Sequence, residues 1–159
     1  MTNLKAMKMS SLDATIEDVK GTVDFLKRHP VGVIILILML IEAIIDVLDI
    51  FDMLDTMALA LRYGLGGYAA AAFILLLFDI VVIYQLYIFA TAVGRGRRKN
   101  PENSEAEALH IIQNALKIMI VAEILWGIVA LFPFGWGILY YVALFCPIVA
   151  FLLSRSITI

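Results

Sequence analysis

The sequence predicts an all-α membrane protein: four transmembrane helices in a bundle preceded by a cytoplasmic amphipathic helix. Three observations point there. Of 159 residues, 63% are hydrophobic and only 16% charged, with a mean hydropathy of +0.98, whereas a soluble domain is roughly half apolar and a quarter charged. The apolar residues gather into four runs, each near the ~20 residues that cross ~30 Å of hydrocarbon. The basic residues fall in segments that an even number of crossings puts on one side. Backbone polar groups must be satisfied internally in lipid and the alternation of a membrane barrel is absent, so the runs are expected to be helices.

Residues 1–30 form the first unit. In SSLDATIEDVKGTVDFLKR, Leu12, Ile16, Val19, Val23 and Leu26 recur at steps of four and three among acids and lysines, which predicts one amphipathic helix capped by Ser10 or Ser11 and closed by the turn at Pro30. Its acids fit packing on the protein's own cytoplasmic face better than binding to anionic lipid. Residues 31–159 form the transmembrane domain, with spans of about 31–51, 67–93, 109–131 and 134–153. RYGLGGY, Arg62 to Tyr68, supplies turn glycines between the first two spans, and GRGRRKNPENS, Gly94 to Ser104, reads as a polar loop between the second and third. Ser104 with Glu107 has the spacing of a capping box, and FPFGWG, Phe132 to Gly137, is a short turn into the fourth span.

Lys5, Lys8, Lys20, Lys27 and Arg28 precede span one, Arg95, Arg97, Arg98 and Lys99 separate spans two and three, and Arg155 follows span four, leaving Arg62 alone on the other side. Both termini are therefore expected in the cytoplasm. Trp126, Trp136, Tyr140 and Tyr141 gather at the outer turn, where interfacial aromatics are expected. The first twenty residues lack the apolar core and cleavage site of a signal peptide.

The distinctive feature is acid inside the apolar runs. Glu42, Asp46 and Asp49 lie within roughly a 60° arc of one helix face at about 100° per residue, while Asp52 and Asp55 drift around it. Counting ~1.5 Å per residue from Val31, Glu42 falls near the midplane and the later acids climb outward as a vestibule. Asp79 in span two and Glu123 in span three reach a similar depth. An ionised Asp at a helix centre costs on the order of 3 kcal/mol, so these groups should face the bundle, take up protons or meet cations. Glu42, Asp46, Asp49, Asp79 and Glu123 are the candidate cation- or partner-binding residues. Ile35, Leu38, Ile83, Leu86, Ala90, Leu116 and Met119 make the cytoplasmic half of the acid faces apolar, and Lys117, Asn114 and Gln85 point away from them. An acidic groove open to the outside, not a pore, is expected.

Weaker features follow. Lys117 should snorkel to the cytoplasmic edge. The glycines Gly64, Gly66 and Gly67 with Ala69 to Ala72 suggest close helix contact. Pro147 should kink span four or fit beside a neighbour. Arg95, Arg97, Arg98 and Lys99 set topology and can touch anionic lipid headgroups.

A net charge of −2 without a basic domain excludes nucleic acid as a partner, and the single Cys146, without Cys or His neighbours, reads as a small apolar filler. The expected partners are the bilayer and either further copies of the chain or other membrane subunits. No cofactor is expected beyond a bound cation, and the sequence names no metal; a carboxylate-only set suits hard cations or protons, not zinc or copper. Catalysis is not expected. Asp49 and Asp52 have the spacing of some lipid-headgroup transferase acids, but the rest of such a motif and any nucleophile with an adjacent base are missing. The leading expectation is a structural or assembly subunit of a membrane complex or envelope. The alternative is an oligomeric cation or proton channel or transporter working through the intramembrane carboxylates.

Overall fold

A computed structural model describes residues 2–159, with side chains from Ser11 onward. Six α-helices follow in order: α1 (Thr2–Lys27), α2 (Pro30–Arg62), α3 (Gly66–Ala90), α4 (Ala92–Lys99), α5 (Ser104–Ala130) and α6 (Ile138–Ser154), with a 3-10 turn at Pro101–Asn103. Three helices are long and apolar enough to cross a membrane, namely α2, α3 and the segment Pro101–Ala130, and α6 is a shorter apolar helix. Their mutual packing is cyclic: α2 and α5 each lie against both α3 and α6. Short turns reverse the chain from α2 to α3 and from α5 to α6. We call the end occupied by α1 and α4 the basic end, and the end holding the α2–α3 turn the turn end.

Each long helix turns one spaced stripe inward. On α2 the stripe is Gly32, Ile35, Met39, Glu42, Asp46, Met53 and Ala60. On α3 it is Ala69, Ala72, Leu75, Asp79, Val82 and Phe89. The outward positions remain apolar and exposed, among them Leu40, Ile44, Ile80, Ile128, Phe145 and Leu152. A helix apolar all round is suited to lipid on one side and packed protein on the other. Gln85, expected to point away, is buried as well, because α3 has neighbours on two sides.

Several sequence expectations change. Helix α2 runs beyond the expected span of about 31–51 to the expected turn at Arg62; its 33 residues extend about 50 Å, with Asp52 and Asp55 exposed on the same unbroken helix. The second span stops at Ala90, and Thr91 separates it from α4. The expected loop Gly94 to Ser104 is instead α4 followed by the 3-10 turn. Ser104 makes no cap bond, and Glu107 pairs with Lys99 at 2.8 Å. The fourth apolar helix is 17 residues long and starts at Ile138, not Phe134. Helix α1 runs through Ser10 and Ser11 without a stop, and its Leu12 and Ile16 are exposed. Gly66 and Gly67 face open space, and Gly64 serves the turn with φ +69°.

Glycines at the basic end bring three backbones together. A Cβ on Gly32 would strike the Leu26 carbonyl, so Gly32 permits the tight reversal from α1 into α2. A Cβ on Gly94 would strike the Asp18 carboxylate, and one on Gly96 would lie 2.7 Å from the Ser104 carbonyl oxygen and 2.8 Å from the Ala108 nitrogen. Thr22 then accepts a hydrogen bond from the Val93 N–H at 3.1 Å, and Arg98 reaches Asp18 at 3.1 Å. Phe25 and Leu26 complete the seam by entering the main core.

Candidate functional site: a carboxyl layer between two apolar layers

The bundle core is divided. Near the basic end, Ile35 and Met39 of α2, Val82 and Phe89 of α3, Ile112, Leu116 and Met119 of α5 and Ala150 of α6 form one apolar cluster with Phe25 and Leu26. Near the turn end, Met53, Ala72, Leu75, Trp126, Ala130 and Tyr140 form a second. Between them along the chain of each helix come Glu42 and Asp46 on α2, Asp79 on α3 and Glu123 on α5, with Cys146 of α6 close to Glu42 and Glu123. The acids therefore make a polar layer inside an otherwise dry core.

All four are nearly shut off from the surroundings, with exposures of 0% for Glu42, 2% for Asp46, 2% for Asp79 and 5% for Glu123. They lie close together: Glu42 is close to Glu123, Asp46 to Asp79, and Glu123 to Asp46 and Asp79 as well. Both oxygens of Glu42, both of Asp46 and Oδ2 of Asp79 have no hydrogen-bond partner among the described residues. The ion pairs among the described residues, Arg28–Glu105, Arg98–Asp18 and Lys99–Glu107, all lie at the basic end. Burying an unpaired ionised carboxylate costs several kcal/mol or more, whereas two carboxyls facing one another are stabilised by a proton held between them. No group of three or more His, Cys, Asp or Glu among the described residues converges as a metal site. Four carboxyls on three helices suit shared protons better than the six to eight oxygens a calcium ion collects.

The layer has a graded edge. Asp49 is half-buried, close to Asp52, while Asp52 and Asp55 are exposed. The acid series thus climbs α2 from the closed layer to the surface of the turn end. The second apolar cluster lies on the turn-end side of the acids, where the groove is expected to open. Trp126 and Tyr140, expected at the membrane interface, are buried there at 8% and 7% exposure, and their rings stack at 5.3 Å. Trp136 and Tyr141 remain exposed.

The aromatic layer is tied to the acid layer through α5. The Tyr140 hydroxyl donates to the Glu123 backbone carbonyl at 3.0 Å. Gly127, one turn along, leaves room for that hydroxyl, which any Cβ there would strike. The Trp136 ring N–H donates to the Gly127 carbonyl at 2.8 Å, folding the α5–α6 turn back over the helix end. None of Tyr140, Gly127 or Cys146 was expected at the site. A Tyr four residues after Trp136 in an apolar run carries no signal of its partner, and Gly127 was one small residue among many.

The remaining candidates lie elsewhere. Arg95, Arg97, Arg98 and Lys99 sit on α4 at the basic end, away from the acids. Lys117 is exposed with its ammonium 5.5 Å from the Phe151 ring centre, on the outside of α5 and α6. Pro147 lies buried within α6, where the helix continues through it. Comparison of the chain with protein-family models, with curated proteins and with solved structures finds no match.

Proposed function

We propose that this is a small multi-pass membrane protein that binds protons at paired intramembrane carboxyls, in the manner of an occluded proton-dependent transporter. The observation that carries the proposal is the burial of Glu42, Asp46, Asp79 and Glu123, without a basic partner among the described residues, in one layer with apolar clusters on both sides. Helix α6 serves as the fourth crossing, since its 17 residues cover about 26 Å and pack against both α2 and α5. Both termini lie in the cytoplasm, by the excess of Lys and Arg at the basic end. Protons approach from the turn end along Asp55, Asp52 and Asp49, whose negative charge concentrates cations, and reach the layer when the helices part at the second apolar cluster. Passage to the other side requires helices to move apart at Met39, Val82 and Met119, as alternating access demands. The chain carries out no covalent chemistry in this proposal.

A partner's lysine or arginine is disfavoured as the occupant, because Glu42 and Asp46 are enclosed by helices of the chain itself. A second reading, a structural or assembly subunit in a homo-oligomer or with other membrane subunits, is favoured by the turn end. There α2 runs on past the second apolar cluster to Arg62, and Leu59 and Leu61 at its end and Tyr63 and Leu65 in the following turn are exposed. In that reading the acid pairs serve as polar glue between helices.

The test is proton flux into liposomes containing purified protein under an imposed pH gradient. Flux that is lost in Glu42→Gln and Asp79→Asn supports the transporter. Folded wild type without flux, with either variant losing its oligomer or its copurifying subunits, turns the proposal to assembly.

A further inference from the structure

A second site lies at the basic end, independent of the acid layer. An open depression of about 460 Å³ is lined by Ile88 of α3, Arg95, Arg98 and Lys99 of α4, and Ile111 of α5. Ile88 is two residues from the end of α3 and Ile111 two turns into α5, so the depression joins an apolar wall to a cationic one where the apolar helices begin.

The three cations are not equivalent. Arg98 is paired with Asp18 at 3.1 Å and Lys99 with Glu107 at 2.8 Å. Arg95 has no carboxylate within ion-pair distance among the described residues. Its Nε donates to the Thr91 hydroxyl at 2.9 Å, and its guanidinium lies 5.4 Å from the Tyr87 ring centre. Thr91 is itself buried and fixed by donating to the Tyr87 carbonyl at 2.8 Å. The guanidinium is thus held by its inner edge and one face, and its two terminal amino groups are left for a ligand. Those two groups match a pair of phosphate oxygens. With Arg98 and Lys99 each balanced by an acid, the depression keeps one surplus positive charge, the complement of a phosphodiester.

We propose that this depression binds the phosphate of an anionic lipid, with Arg95 as the principal ligand, Lys99 and Arg98 flanking it, and Ile88 and Ile111 against the first carbons of the glycerol and acyl chains. Basic pockets between membrane helices recognise such headgroups through the same combination of charge and apolar wall. Arg97 is exposed and is not among the lining residues, which makes it a matched control of equal charge.

The experiment is a titration of the purified full chain in neutral detergent with dihexanoyl-phosphatidylglycerol, dihexanoyl-phosphatidylcholine and inorganic phosphate, read as thermal stabilisation. Saturable stabilisation by phosphatidylglycerol is expected, weakened roughly tenfold or more in Arg95→Gln and unchanged in Arg97→Gln. Lys99→Gln, which leaves the Arg95–Thr91 bond in place, should weaken it as well and serves if Arg95→Gln does not fold. Inorganic phosphate binding as tightly as the lipid, with the same dependence on Arg95, would keep the phosphate site and make its ligand a soluble phosphate. Equal loss in Arg95→Gln and Arg97→Gln, no saturable binding, or equal binding of phosphatidylcholine would overturn the proposal.

Discussion

Glu42 and Glu123 approach one another across the helix ring. They come from α2 and α5, helices that each pack against α3 and α6, so their side chains span the diagonal that the backbones leave open. Asp46 and Asp79 make the corresponding approach between α2 and α3. Substitutions at Glu42 and Glu123 should therefore not add. Glu42→Gln combined with Glu123→Gln should show a coupling of about 1 kcal/mol or more, whereas Glu42→Gln with exposed Asp52→Asn should add within about 0.5 kcal/mol. Unfolding in a denaturing detergent titration reads both cycles, and additive losses at Glu42 and Glu123 would separate the two acids.

The Tyr140 hydroxyl and the missing Cβ of Gly127 are two halves of one contact. Tyr140→Phe should cost about 1 kcal/mol through loss of the bond to the Glu123 carbonyl. Gly127→Ala should cost more, roughly 1–3 kcal/mol, because the added methyl drives the stacked ring from its place against Trp126. In the double variant the smaller loss should be largely absorbed. If Gly127→Ala leaves thermal stability unchanged, the aromatic layer is not packed as described.

At the basic end Gly96 should tolerate substitution less well than Gly94. A methyl at Gly96 meets the backbone of Ser104 and Ala108, which cannot swing aside, whereas at Gly94 it meets the side chain of Asp18. Gly96→Ala is expected to destabilise by roughly 2 kcal/mol. Gly94→Ala should cost less and should also release Arg98, which a double-mutant cycle with Asp18→Asn would register.

Sidedness is testable with single cysteines in a Cys146→Ala background. A cysteine at Tyr63 should react with an impermeant reagent from outside intact cells, and one at Asn100 should react only after lysis. Access from outside at Asn100 and not at Tyr63 would invert the bundle and move the graded acids to the other side.

Much of this molecule could be read from residue spacing, and the exceptions share a cause. The inward placement of Glu42, Asp46, Asp79 and Glu123 follows from helical periodicity, because an acid in an apolar run can only turn toward other helices. The closing aromatic layer did not follow, since Trp126 and Tyr140 carry the same composition signal whether they stack inside or anchor at an interface. Helix α4 was hidden because glycine breaks an isolated helix, yet at Gly94 and Gly96 the absent side chain lets α1 and α5 approach. In each case a tertiary contact, or its absence, outweighs the local preference.

The most direct measurement is infrared difference spectroscopy of the purified protein in lipid at neutral pH, following the carbonyl stretch of protonated carboxylic acid in wild type, Glu42→Gln and Asp79→Asn. Wild type should show a protonated-carboxyl band shielded from deuterium exchange, and each variant should lose part of it. A wild-type spectrum with ionised carboxylate bands alone would contradict proton pairing in the carboxyl layer.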